Sequence, residues 1–334
     1  MDPATRERLF DFRSAFEHPV TVWITVAIVA ALVLAFVVIG VLKATGRVGP
    51  ELHRELVKRT RSWAVMAPLL VIPVLQGGFW TMLAATSLSL LCYQEFARAT
   101  GLFRHRLLSL IVVLGILALL FATVDHWYGF FVALTPLTVI LLAAVAITAD
   151  QPKGYIQRVA LAVFGFLFFG TCLGHLGYIA NDADYRPIVL LLLLTVELND
   201  VFAFITGKLF GRRKLIPATS PNKTIGGALG ALVLTGTLVA VVGHFVFRGG
   251  RMDDPLLLGG LGLIISVAGQ LGDLMMSSIK RDLGIKDMGS VIPGHGGILD
   301  RFDSLILVAP AVFHYVGYIR GLGDGQVERI LTGS

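Results

Sequence analysis

Charge is scarce in this sequence. Asp, Glu, Lys and Arg make up 15% of its 334 residues, whereas soluble domains carry about 25%. With a mean hydropathy of +0.79, that shortage excludes a water-soluble fold. Cysteine is nearly absent. Cys92 and Cys172 both sit within apolar runs, which argues against a disulfide framework and a zinc site. Neither a G-x-x-x-x-G-K-[ST] phosphate loop nor a dinucleotide-binding glycine pattern occurs. Basic residues do not interleave with aromatics, so the net charge of +6 does not point to nucleic acid. Cationic loops that orient membrane helices and face anionic lipid account for it.

What the chain has instead is apolar blocks. About 20 apolar residues cross a bilayer as a helix. The pattern predicts an all-α polytopic membrane protein of about ten spans: 20–42, 63–78, 80–97, 107–124, 128–148, 158–180, 187–207, 225–247, 256–280 and 302–320. The first run is too long for a signal peptide. The second and third spans are short and joined at Gln76-Gly77-Gly78, which also fits a re-entrant pair. The first 18 residues suit a short interfacial helix, and Gly321–Ser334 reads as a polar tail. With the N-terminus outside, the inner loops hold 20 of the 28 Lys and Arg residues. Lys and Arg favour the cytoplasmic side, so that orientation is expected. The chain divides into spans one to six (1–185) and a C-terminal region (186–334) where the polar chemistry collects.

Three constellations stand out there. Glu197 and Asp200 share a helix face at the inner end of span seven, where acidic groups are costly unless they line a cavity or find a partner. A basic, hydroxyl-rich loop follows, with Ser220, Lys223 and Thr224 ahead of Gly226-Gly227 at the start of span eight. Backbone N–H groups at a helix N-terminus favour anions, so Lys223 and Thr224 are well placed for a phosphate; for Arg212, Arg213 and Lys214 a positive-inside loop with a helix cap reads equally well. The third runs from Gly272 to Asp303. Asp273, Ser277 and Lys280 or Arg281 fall on one face of span nine, and Asp300 and Asp303 on one face at the start of span ten. Between them Pro293-Gly294-His295-Gly296-Gly297 reads as a tight turn. Carboxylates from two helices suit Mg²⁺, and nearby cations suit phosphates.

From Ser277 to Asp303 the residues run Ser277, Lys280-Arg281, Lys286-Asp287, Gly289, Pro293, His295-Gly296-Gly297 and Asp300-Arg301, then Asp303. This run resembles the phosphatidate cytidylyltransferase (CDP-diacylglycerol synthase) family without a gap. Asp200, Ala203, Gly207, Gly211, Pro217, Ser220-Pro221 and Lys223-Thr224 extend the resemblance upstream, so that it covers about residues 190–320. Two positions depart from the pattern. Gly226 and Met276 stand where the family shows carboxylates, which marks a divergent branch.

The resemblance implies CMP transfer from CTP to phosphatidic acid, giving CDP-diacylglycerol and pyrophosphate, with Mg²⁺ and a second cation such as K⁺. On that reading Asp273 and Asp300 bind metal. Lys280, Arg281, Asp287, His295 and Asp303 form the catalytic set, with Asp303 supporting the second metal position or the triphosphate. Asp200, Ser220, Lys223, Thr224, Ser277, Lys286 and Arg301 contact substrate. The acyl chains are expected to enter a cavity between spans seven, nine and ten. The expected location is the bacterial inner (cytoplasmic) membrane, with the site facing the cytoplasm. Glycine-rich spans eight and nine permit close packing, either internally or across a homodimer face. Alternatives are another phospholipid acceptor, dCTP in place of CTP, or an anion or lipid transporter. The D-G-x-x-A-R pattern of CDP-alcohol phosphotransferases is absent.

Overall fold

A computed structural model describes residues 3–321 and 329–333; the rest of the expected polar tail lies outside them. The described chain is helical apart from one small hairpin. Its helices are α1 (Pro3–Phe10), α2 (Pro19–Ala44), α3 (Pro50–Gln76), α4 (Gly78–Thr100), α5 (Arg106–Val124) and α6 (Tyr128–Ala146). α7 (Tyr155–Gly165) continues through a π-helical stretch, Phe166–Cys172, into α8 (Leu173–Tyr178). Then come α9 (Tyr185–Phe210), strands β1 (Lys214–Ile216) and β2 (Ser220–Thr224), α10 (Ile225–Val246), α11 (Pro255–Asp282), α12 (Leu299–Phe302) and α13 (Leu305–Arg320).

The starts of these helices follow from local chemistry. Proline fills the first turn of α2, α3 and α11, where its missing N–H costs nothing. Asp254 accepts the backbone N–H groups of Leu256 and Leu257 to cap α11. Thr224 caps α10 by accepting from Gly227 N at 3.1 Å. α4 ends at Gly101, in the left-handed conformation that glycine adopts without strain.

Every predicted span falls on a helix. Among the described residues, seven helical segments are long and apolar enough to cross a membrane: 19–44, 106–124, 128–149, 155–181, 185–210, 225–246 and 255–282. The chain is therefore a polytopic integral membrane protein. α13 is apolar but shorter. α3 carries a charged N-terminal half, with its apolar stretch confined to the C-terminal half.

Connectors alternate between the two ends of the bundle. At one end Arg8 donates to Asn181 O at 2.9 Å, Arg320 to Asp182 at 2.5 Å, and Thr332 N to Asp125 at 2.9 Å. At the other, Ser62 donates to Pro293 O at 2.7 Å and Arg281 to Thr219 O at 3.3 Å. One apolar core runs from Leu9 to Val316, so both halves of the chain share it.

Gly227, Gly230, Gly260 and Gly262 of spans eight and nine pack inside the bundle, whereas Gly259 faces open space. A Cβ on Gly262 would lie 2.6 Å from Gly236 Cα, and one on Gly230 would lie 2.3 Å from Thr206 Cβ. Small residues let α9, α10 and α11 approach at backbone distance.

The expected loop after span seven is instead an antiparallel hairpin that pairs Lys214 with Thr224 and Ile216 with Ser220. Its strands are too short, and too rich in Pro and polar residues, to show the alternation that betrays a strand.

Candidate active site

Three elements converge at the end of the bundle where α11 stops. α9 brings Asp200, β2 brings Lys223, and α11 with the following loop brings the longest polar run. Lys223 pairs with Asp273, and Ser277, one turn on, donates to the other Asp273 oxygen at 3.2 Å. Lys280 Nζ lies 2.9 Å from Asp300 and 4.0 Å from Asp303. Asp303 is buried and within Coulombic reach of Asp273, Lys280, Asp200 and Lys223. Arg301 lies within reach of both Glu197 and Asp200. Acidic and basic groups thus alternate, so that carboxylates with low solvent exposure face ammonium groups. A buried carboxylate is tolerated only with such partners.

The expected turn is present. Ile292 N donates to Gly296 O at 2.8 Å, and His295 N to Ile292 O at 3.0 Å. Gly294 and Gly296 take φ of 80° and 85°, a region that side chains with a Cβ resist. Asp300 clasps this turn. One of its oxygens takes Lys280, while the other accepts Met288 N at 2.8 Å and Gly297 N at 2.9 Å. Asp300, expected to bind metal, accepts these three hydrogen bonds and holds the loop; a carboxylate offers about four acceptor sites, so these contacts leave it in the expected metal-binding set.

Other expected residues are placed as follows. Thr224, expected on a phosphate, is buried and accepts the cap bond of α10, which leaves its O–H as a donor. Arg281 is exposed and turned to the Thr219 and Ile285 carbonyls. Lys286 and Asp287 are exposed on the loop, and Ser220 is half-buried in β2. His295 is half-buried, with Nδ1 lacking a partner and its ring edge-on to Trp63 at 6.3 Å. Burial, then the positive charge of Arg301, hold its pKa below the ordinary histidine value; the Pro293 backbone opposes this and Arg59 adds to it.

Both departures have a packing reason. A Cβ on Gly226 would lie 2.7 Å from the Phe210 carbonyl oxygen, so this backbone requires glycine. Met276 is fully buried in the apolar core, where a carboxylate would have to find a partner.

Sequence reasoning missed residues from the first half. Glu95 on α4 is buried and accepts Ile298 N at 3.0 Å and Leu299 N at 2.8 Å, the free donors at the start of α12. Its carboxyl packs against Gly289 and Gly297, where added Cβ atoms would lie 2.5 and 2.4 Å from its oxygens. An acidic residue inside an otherwise apolar span is itself a signal of function. Asn199 was passed over between Glu197 and Asp200. It is buried and accepts from Thr235 at 3.0 Å and Ser266 at 2.7 Å, tying α9 to α10 and α11.

Among the described residues no three His, Cys, Asp or Glu side chains form a ready-made metal cage. Mg²⁺ needs none, since it usually keeps waters and is held by one or two carboxylates plus substrate phosphates. Asp273, with 22% of its side chain open, and buried Asp303 fit that pattern.

Carboxylates and ammonium groups gather around a glycine turn at one end of the membrane bundle, an arrangement that suits nucleotidyl transfer. The chain belongs to the cytidylyltransferase family, whose model matches residues 57–319. It is 35% identical over 254 residues to the phosphatidate cytidylyltransferase of Staphylococcus haemolyticus (strain JCSC1435), covering 74% of this chain and 94% of that one. The phosphatidate cytidylyltransferase of Staphylococcus aureus (strain COL) is 31% identical over 256 residues, with the same coverage. The uncharacterized protein YnbB of Escherichia coli (strain K12) is 31% identical over 271 residues, covering 79% of this chain and 88% of YnbB.

Proposed function

We propose that this enzyme transfers CMP from CTP to phosphatidic acid, releasing pyrophosphate, at the cytoplasmic face of a bacterial inner membrane. The observation that carries the reading is the alternating array of Lys223, Asp273, Lys280 and Asp303 beside the glycine turn. Ten alternating crossings with this end inside agree with the Lys and Arg excess there.

The lipid phosphate is a monoester whose second ionisation lies near pH 6, so its nucleophilic oxygen needs no strong base. That oxygen attacks the α-phosphorus of CTP. The new P–O bond forms as the bond to the β-phosphate breaks, and pyrophosphate leaves with the electron pair. Catalysis is then mostly positioning and charge stabilisation. Lys223 and Lys280 hold phosphate oxygens, with Arg301 beside them. Asp300 and Glu95 keep the glycine turn in the shape that meets the nucleotide. His295, neutral at pH 7, serves as a hydrogen-bonding group rather than as an acid. Asp273 and Asp300, with Asp303 in support, would hold Mg²⁺, which would supply positive charge to offset that of the departing pyrophosphate.

The test is turnover of purified protein in detergent with CTP, phosphatidic acid and Mg²⁺, following pyrophosphate. Release that requires both substrates and stops with EDTA is expected. Release independent of lipid would contradict the reading.

A further inference from the structure

A groove of about 990 Å³ runs along α3 and α4 and ends at the segment holding Pro293 and Phe302. Its two ends differ in chemistry. Arg54, Lys58 and Arg61 line one end. All three are exposed, and none joins an ion pair among the described residues, in contrast to Arg59, which pairs with Glu55 at 2.6 Å. Beyond Ser62 the lining becomes apolar, with Leu69 facing Leu83 and Leu91 across the cleft. These three leucines keep 66%, 38% and 42% of their surface, so the groove opens sideways.

The spacing is that of one helix face. Residues 54, 58, 61, 65, 69 and 73 recur every three or four positions along α3. At 1.5 Å per residue the apolar stretch from Val65 to Pro73 is about 12 Å long. That is close to half of the roughly 30 Å hydrocarbon core, the depth of one leaflet. The cationic end abuts the glycine turn. Ser62 donates to Pro293 O at 2.7 Å, and Gly294 sits against the Lys58 and Arg59 side chains.

We propose that this groove binds the acceptor lipid: the phosphomonoester headgroup between Arg54, Lys58 and Arg61, and the acyl chains along the apolar stretch. The occupant is a two-chain phospholipid from the same leaflet, because only such a molecule presents a dianionic head and apolar tails at this offset. The assignment rests on the function proposed above. It places lipid entry on α3 and α4 rather than between spans seven, nine and ten. The first half of the chain thereby presents the acceptor, and the second half holds the nucleotide.

The experiment varies the mole fraction of phosphatidic acid in mixed micelles at saturating CTP and Mg²⁺. Lys58→Gln/Arg61→Gln removes headgroup charge. Leu69→Trp fills the apolar groove at an exposed position. Val33→Trp, on exposed α2 surface, is the control. Each groove variant raises the half-saturating lipid fraction about tenfold or more, with the KM for CTP changed less than about twofold; the control matches wild type. Unchanged lipid saturation in both groove variants overturns the site. A binding readout separates this failure from failure of the reaction itself. Trp80 lines the groove, so the fluorescence difference between wild type and Trp80→Phe reports occupancy. Doxyl-labelled phosphatidic acid in phosphatidylcholine bilayers quenches it more than doxyl-labelled phosphatidylcholine does. Equal quenching by the two lipids overturns the site even if turnover is never seen.

Discussion

Glu95 accepts the backbone N–H of Leu299 at 2.8 Å across 204 residues of sequence. This contact fixes the glycine-turn loop to a helix in the other half of the chain. Glu95→Ala leaves two buried N–H groups without an acceptor, a loss of about 2 kcal/mol or more. Glu95→Gln keeps one oxygen and loses less. Thermal unfolding in detergent, read beside turnover, checks the order wild type, Gln, Ala for both quantities. A fully stable and active Glu95→Ala would remove the anchor from the account.

The aspartates separate by what each one touches. Asp273→Asn costs turnover while the protein still inserts and unfolds near the wild-type temperature, since Asp273 remains partly open to solvent. Asp300→Ala leaves the buried Lys280 without its nearest partner, which costs about 3–5 kcal/mol as well as activity. Paired melting and activity measurements on the two variants distinguish a site residue from a loop clasp.

His295 gives a pH signature. Burial and then Arg301 lower its folded pKa below the unfolded value. A histidine held neutral this way stabilises the fold at pH values above its unfolded pKa. That contribution is lost as pH falls through the folded pKa. Wild type therefore loses more melting temperature than His295→Gln between pH 7 and the acid side of the histidine range. Parallel pH dependences would contradict it.

Gly262 tests the packing of α10 on α11. A side chain there meets Gly236 at backbone distance, so Gly262→Val destabilises the monomer by about 1–3 kcal/mol. Size-exclusion chromatography with light scattering, alongside melting, checks this: the melting temperature drops while the oligomeric state stays as in wild type. A variant with wild-type melting but a changed oligomer would move the glycine face to an interface between copies.

The helices were legible because apolar runs are a local signal; the charged first half of α3, which starts at Pro50, lies outside the apolar run read as span two and was not. The glycine turn was legible for the same reason, since Gly294 and Gly296 adopt the positive φ that their spacing suggests. What was not legible is which partner each charge finds. Asp300 reads as a metal ligand in sequence, and the further partners of its oxygens, Lys280, Met288 N and Gly297 N, come together only after the loop folds back. Glu95 and Ser62 lie about 200 residues from the loop they hold, a separation that no periodicity records. Thr224 caps α10 through its oxygen, a role that its hydroxyl fills as acceptor and that the sequence reading, directed at a phosphate, did not assign to it.

The most direct test of CMP transfer follows two labels on CTP through one reaction with phosphatidic acid and Mg²⁺. The account predicts that an α-phosphate label moves into the solvent-extractable lipid while a γ-phosphate label stays in the aqueous phase as pyrophosphate. A γ-label recovered in lipid, or no lipid label from folded protein, would contradict it.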